Sequence, residues 1–236
     1  IDAIILISQT PKYNIPPNSF IIQNSLGIKK SSLVLDINHG CSGYIYGLKI
    51  ASCLMQTKNI KKILLITTDN YSRYLKKLNV KVLFSDCATA SLLVKSKNKP
   101  KFKFFSDGKN YRSLAQETSN YNKSIDQNSI VMDGKKVYNF SVNEVPKIFK
   151  SFIKENKLNI KDFDFILLHQ ASKIVNENIK NKISHNMKFF LDNYDKFGNT
   201  VSSSIPLLIC KNFKKLKNKK VLLCGFGVGL SIGICD

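Results

Sequence analysis

No apolar run in this 236-residue sequence approaches the roughly 20 residues that a bilayer-spanning helix needs; the longest, residues 4–7 and the glycine-broken 221–230, are far shorter. Nor does a charged, then apolar, then small-residue leader stand at the start. The six cysteines (Cys41, Cys53, Cys87, Cys210, Cys224 and Cys235) contain no Cys-x-x-Cys pair of the kind that marks a zinc site or a dithiol redox centre. Arginine is almost missing, with Arg73 and Arg112 alone among 37 basic residues. Base readout favours arginine, and no regular lysine–aromatic stripe stands in for it, so no nucleic-acid partner is expected. These absences leave the expectation of a soluble, cytoplasmic protein with reduced thiols, no membrane association and no metal.

What is present is enough apolar material, 43% of residues, for one large domain or two small ones with a hydrophobic core. Lysine and asparagine dominate the polar residues, and the net charge is +21. Such a surface attracts acidic partners, although lysine and asparagine enriched everywhere is also what an A/T-rich genome writes. The first residue is Ile1, inside a strand-like run, and an N-terminal truncation is expected.

Apolar β-type runs alternate with amphipathic helical stretches, which argues for an α/β protein. Strand-like runs fall at 4–7, 62–67, 82–94, 165–169 and 221–234, and helices are expected at 42–58, 142–157, from about 173, and at 201–213. In the helix at 142–157, Val142, Val145, Phe149, Phe152 and Ile153 share one face, while Lys147, Lys150, Lys154 and Lys157 fall mainly on the other. The segment 95–101 carries only charge, Ser, Asn and Pro. It is the expected boundary between two halves, 1–96 and 97–236.

The halves echo each other. Asp2-x-Ile-Ile-Leu matches Asp164-x-Ile-Leu-Leu, Lys61-Lys-Ile-Leu-Leu matches Lys219-Lys-Val-Leu-Leu, and the same spacing as the second pair sets Gly40-Cys41 on Gly198-Asn199. Three concordant landmarks indicate an internal duplication. If the halves pack about a pseudo-twofold axis, Cys41 and Asn199 stand at equivalent helix starts facing a shared centre.

Three residues could carry chemistry. Cys41 lies in a glycine-flanked turn at a helix start, where free N–H groups and the helix dipole lower a thiol pKa. His169 closes the apolar run 165–168 in the word His-Gln-Ala-Ser, at a strand end of the kind where α/β proteins place their sites. Asn199 stands in a Gly-Asn-Thr turn that taken alone reads as an N-cap. The glycine-rich segment 225–233 does not fit the G-x-G-x-x-G spacing and is not a dinucleotide site. It reads as a hairpin whose backbone N–H groups come close to something, as an oxyanion hole requires.

Together the words resemble a family. Asn38-His-Gly-Cys-Ser-Gly-Tyr, Leu83-Phe-Ser-Asp-Cys-Ala-Thr-Ala, Ser106-Asp-Gly, Met132-Asp-Gly-Lys-Lys-Val-Tyr, His169-Gln-Ala-Ser, Gly198-Asn-Thr-x-x-Ser-Ser-Ile-Pro and Phe226-Gly-Val-Gly-Leu occur in the order seen in β-ketoacyl-acyl-carrier-protein synthase III. The resemblance spans nearly the whole chain. It implies a thiolase-like α/β fold of two duplicated halves in an αβαβα arrangement, here with the N-terminal half incomplete, and a homodimer. It carries a Cys-His-Asn triad onto Cys41, His169 and Asn199, and an oxyanion site onto the N–H groups of Cys41 and Val228. Phe226 and Ile15 become acyl-pocket residues, Ile15 on the loop that closes the partner's pocket. Lys173, Lys150 and Lys154 become a surface for acyl-carrier protein, whose acidity suits the basic charge. Acyl-CoA and malonyl-acyl-carrier protein are the implied substrates, with no cofactor.

The sequence departs from the family in places. It lacks roughly the first 80 residues of the family's length, and with them the usual Trp and Arg contacts to CoA. One expected Arg falls near Leu78 among Lys76, Lys77 and Lys81; another is Ile174, beside Lys173; the Asn ending His-Gln-Ala-Asn is Ser172; and a central loop Gly is Val228. Lysine replaces charge but neither stacking nor a bidentate fork. Acyl transfer from Cys41 to an oxygen or nitrogen nucleophile, and a truncated non-catalytic chain, stand as alternatives. A papain-like hydrolase is excluded because no Gln precedes Cys41 at the usual oxyanion position.

Overall fold

A computed structural model describes residues 1–75, 81–97, 99–116, 130–184 and 186–236. The first sheet has the order β2–β1–β3–β4, formed by β1 (Ala3–Ile7), β2 (Leu33–Ile37), β3 (Lys62–Asp69) and β4 (Cys87–Val94). The second has the order β5–β10–β9–β8, formed by β5 (Phe102–Ser106), β8 (Phe165–Leu168), β9 (Val221–Gly227) and β10 (Ser231–Cys235). A small ladder joins β6 (Leu114–Gln116) to β7 (Ile130–Met132).

Helix α1 (Asn18–Ser25) lies on β1 and β2, outside the first sheet. Between the sheets run α2 (Gly43–Leu54), which touches β1, β3, β9 and β10, and α5 (Ser204–Lys211), which touches β4 and β8. Outside the second sheet α3 (Gly134–Glu155) packs on β9, β10 and α4 (Lys173–Ile183). The layers are therefore α, β, α, β, α. Because α2 packs on both sheets, it joins them through a shared middle layer.

The sequence echoes mark one device used twice. Asp2 Oδ2 accepts the Lys61 and Lys62 N–H groups at 2.9 Å each, and Asp164 Oδ2 accepts the Lys220 N–H at 2.9 Å. In each sheet an aspartate ahead of one strand caps the start of its parallel neighbour, β1 with β3 and β8 with β9. Each neighbour then pairs antiparallel with the strand that follows it, β3 with β4 and β9 with β10.

Three elements differ from the expectation. The run 82–94 becomes a strand only from Cys87, because the backbone of Leu83 and Ser85 is engaged by Asn199. The helix expected at 142–157 begins at Gly134, where the Asp133 side chain accepts the Lys136 N–H at 3.1 Å and so nucleates two extra turns. The helix expected at 201–213 is broken into a 3₁₀ turn at Val201–Ser203, α5, and a further turn at Phe213–Leu216. Among the described residues no helix is long and apolar enough to cross a membrane.

Candidate active site

Cys41 stands two residues before α2, next to its N-cap Ser42, and is 4% exposed. The β9–β10 hairpin lies directly against it. A Cβ at Gly227, where φ is +151°, would stand 2.7 Å from Cys41 Cβ and 2.8 Å from its Sγ, and one at Gly225 would stand 2.8 Å from Ser42 Cα. Glycine at these positions lets the hairpin backbone reach the thiol. The Ser42 and Ser231 hydroxyls, 2.8 Å apart, tie the hairpin to the helix start. Gly227→Ala should therefore displace the Cys41 side chain, costing about 1–3 kcal/mol of stability by overpacking and slowing Cys41 alkylation. Thermal melting and the rate of iodoacetamide labelling at Cys41 would read both effects.

The thiol is not acidic, contrary to the expectation from its helix start. Burial pushes it up to about 12, against opposing hydrogen bonds from the Val228 and Cys41 backbone, and the Asp69 charge adds to the rise. Removing a thiolate from water outweighs the polar helix end at this depth. Cys41 thus rests protonated, with the Val228 backbone beside it.

His169 follows β8, 1% exposed, and its N–H bonds to Cys224 O at 2.8 Å. Its Nδ1 lies 2.6 Å from Ser204 Oγ at the start of α5. Phe226 meets the ring edge-on at 5.3 Å. Burial lowers its pKa to about 3, so the imidazole is neutral at physiological pH. Phe226 belongs to the core between the second sheet and α3, with Phe149 and Ile232. Its ring packs edge-on against His169, and it is not part of the apolar cluster of Cys41, Tyr71, Leu75 and Val201.

Asn199 is held by its backbone and by its side-chain oxygen. Its N–H donates to Leu83 O and its carbonyl accepts from Ser85 N–H, both at 2.9 Å, while its Oδ1 accepts the Val201 N–H at 2.9 Å. With Oδ1 occupied, Nδ2 is left to donate. Val201 makes this possible by adopting φ +51°, a conformation that costs a β-branched residue about 1–3 kcal/mol. Val201 is fully buried and packs with Cys41, Tyr71 and Leu75. The turn carrying Asn199 thus continues through Val201, which packs on Cys41, to Ser204, which bonds His169.

The other expected residues are less gathered. Ile15 is 88% exposed and contributes nothing to the surroundings of Cys41 in its own chain. Lys173 is exposed at the start of α4, four residues after His169, beside Ile174. Lys150 and Lys154 are exposed in the last turns of α3. Lys103 Nζ bonds Ser151 and Glu155 there, and Lys103 pairs with Ile234 at the end of β10 away from Ser231. These two lysines therefore stand at the opposite end of the second sheet from Cys41 and do not form one surface with Lys173. Lys76, Lys77 and Leu78 lie outside the described residues.

Sequence reasoning missed Ser204, Asp69, Ser202, Gln9 and Tyr71, which surround the three central residues. Only the Ser-Ser-Ser run after Asn199 hinted at them. Among the described residues no group of three His, Cys, Asp or Glu could hold a metal.

Residues 35–108 match the family model described as 3-oxoacyl-[acyl-carrier-protein] synthase III, and residues 153–235 match its C-terminal model. The beta-ketoacyl-[acyl-carrier-protein] synthase III of Clostridium botulinum strain Hall is 31% identical over 99% of this chain and 76% of that protein. The protein of the same name from Clostridium tetani is 29% identical over 98% of this chain and 75% of its own length. The crystal structure of 3-oxoacyl-(acyl-carrier protein) synthase from Burkholderia xenovorans LB400 superposes with a TM-score of 0.93 at 31% identity, covering 99% of this chain and 72% of that one.

Proposed function

The chain belongs to the 3-oxoacyl-[acyl-carrier-protein] synthase III family, and from that premise we propose that Cys41, His169 and Asn199 carry the family's reaction. That reaction is the decarboxylating Claisen condensation of an acyl-CoA with malonyl-acyl-carrier protein to a 3-oxoacyl-acyl-carrier protein. It starts an acyl chain and draws on no cofactor.

In the first half Cys41 Sγ attacks the acyl-CoA thioester carbonyl. The acyl–sulfur bond to CoA breaks, and the thiol proton leaves with CoA as its free thiol. The Cys41 and Val228 N–H groups stabilise the oxyanion; the contact between the Val228 backbone and the thiol supports this role. In the second half malonyl-acyl-carrier protein loses CO₂, and the electron pair of the broken C–C bond becomes an enolate. His169 and Asn199 donate hydrogen bonds to its oxygen. For this step His169 uses the tautomer in which Nδ1 accepts the Ser204 hydroxyl and Nε2 carries the proton, and Asn199 presents Nδ2. The enolate carbon attacks the acyl-Cys41 carbonyl, the sulfur leaves as thiolate, and it takes a proton from solvent to restore the thiol.

The observation that carries this reading is the turn Asn199–Ser204, which packs Val201 on Cys41 and bonds Ser204 to His169. A neutral imidazole and an amide suit a site where negative charge develops on oxygen, since both donate without bringing a competing carboxylate. Lys173, exposed at the helix start four residues after His169, is the proposed contact for the acidic carrier protein. A homodimer is the proposed assembly: β2 ends the first sheet with one edge unpaired among the described residues, and Ile15 projects from the chain. The proposed location is the cytoplasm. Two halves about the segment 95–101 is likewise our reading of the domain organisation, supported by the repeated aspartate caps.

Incubation with acyl-CoAs of graded length, followed by malonyl-acyl-carrier protein, tests the reading. Intact mass spectrometry should show one acyl group per chain on Cys41, lost on the second addition as 3-oxoacyl-carrier protein appears. A folded protein that takes up no acyl group from any donor would overturn it.

A further inference from the structure

Asp69, the last residue of β3, is 1% exposed and plays no part in the steps above. Its Oδ1 accepts the Gln9 N–H at 2.8 Å, and its Oδ2 accepts the Ser202 N–H at 3.2 Å as well as the Ser202 hydroxyl. Gln9 in turn accepts the Tyr71 hydroxyl at 2.6 Å, and a side chain at Gly40 would collide with Gln9 Oε1. One carboxylate therefore ties three pieces of chain together: the exit of β1, the end of β3, and the turn that carries Asn199.

Ser202 follows Val201, whose left-handed backbone lets its N–H reach Asn199 Oδ1. On its other side the turn is held by Leu83 and Ser85. Nothing in Val201 favours this conformation, so bonds on both flanks must impose it, and Asp69 supplies two of them.

We propose that Asp69 is a positioning residue for the decarboxylation step: by gripping Ser202 it holds the Val201 kink, and so aims the Asn199 amide at the malonyl thioester carbonyl. This rests on the function proposed above. Burial raises the Asp69 pKa to about 6, so at neutral pH it is the carboxylate that accepts these bonds. It also bears on Cys41, whose neighbouring titratable groups are Asp69 and Tyr71.

The test uses Asp69→Asn and Ser202→Ala separately, reading three quantities in each: acylation of Cys41 by acyl-CoA, CO₂ release from malonyl-acyl-carrier protein, and the pH dependence of Cys41 alkylation. An amide cannot accept both Ser202 donors with the nitrogen that replaces Oδ2, and alanine lacks the hydroxyl. Both variants should lose about 10²-fold in CO₂ release, the scale of a small misplacement, with acylation within about threefold of the parent. Asp69→Asn should also move the alkylation profile to lower pH, because a negative neighbour of the thiolate is gone; Ser202→Ala should leave it in place. Should Asp69→Asn prove unable to fold, Ser202→Ala alone decides. CO₂ release unchanged, or acylation and CO₂ release falling in parallel, would overturn the proposal. Failure of the functional reading would look different, since the parent protein itself would neither form an acyl-enzyme nor release CO₂.

Discussion

Cys41→Ser is expected to abolish the acyl-enzyme, lowering the acylation rate on the order of 10⁴-fold or more. The substitution changes one atom in a site that excludes water, so the fold should survive. A serine hydroxyl is a far weaker acid than a thiol, and the environment offers no help: His169 is held neutral with a pKa of about 3, too weak a base to take the proton. In the proposed role cysteine is the better group because sulfur attacks and leaves readily even though its resting form here is the thiol. Intact mass spectrometry after exposure to acyl-CoA reads the outcome. Cys53 and Cys210 are exposed and serve as internal controls, since adducts there reflect accessibility rather than catalysis. An adduct that persists in Cys41→Ser and maps elsewhere would remove Cys41 from the mechanism.

His169→Ala should separate the two half-reactions. Cys41 keeps its thiol, its glycine-lined hairpin and the Val228 backbone, so acylation continues; CO₂ release should fall by about 10²–10³-fold, the usual effect of removing one donor to a developing oxyanion. The pH profile gives an independent check. Burial carries the imidazole from its ordinary 6.5 down to about 3, so the neutral form persists as pH falls from 8 to 5. CO₂ release should therefore show no rise between those values from imidazolium formation. A marked rise below pH 6.5, absent in His169→Ala, would mean that the protonated ring does the work.

Much of this site was legible because its residues sit at points where local sequence already changes character. His169 ends an apolar strand, Cys41 opens a helix between glycines, and the glycines at 225, 227 and 229 announce a hairpin that needs close approach. The duplication was legible for a physical reason as well: Asp2 and Asp164 are kept before their strands because each must cap the neighbouring strand's N–H groups.

Other features had no local signal. The apolar run at 82–94 looks uniformly strand-like, yet its first residues give their backbone bonds to Asn199, more than a hundred positions away. A buried aspartate among threonines at the end of β3 reads like a surface turn until Gln9 and Ser202 are seen to donate to it. Lys150 and Lys154 share an exposed helix face with nothing in their spacing to say which end of the sheet that face occupies.

The sequence by itself determined the alternation of strands and helices, the repeated halves, and the three residues placed at their junctions, because periodicity and turn chemistry act over a few neighbours. The tertiary structure alone decided what those residues are chemically. Burial made His169 a neutral imidazole and Cys41 a resting thiol, the closure of the hairpin set the Val228 backbone beside sulfur, and bonds from Leu83, Ser85 and Asp69 hold the turn that carries Asn199. Desolvation and long-range hydrogen bonding depend on what surrounds a group in space, and that comes into being only when the sheets close on the helices between them.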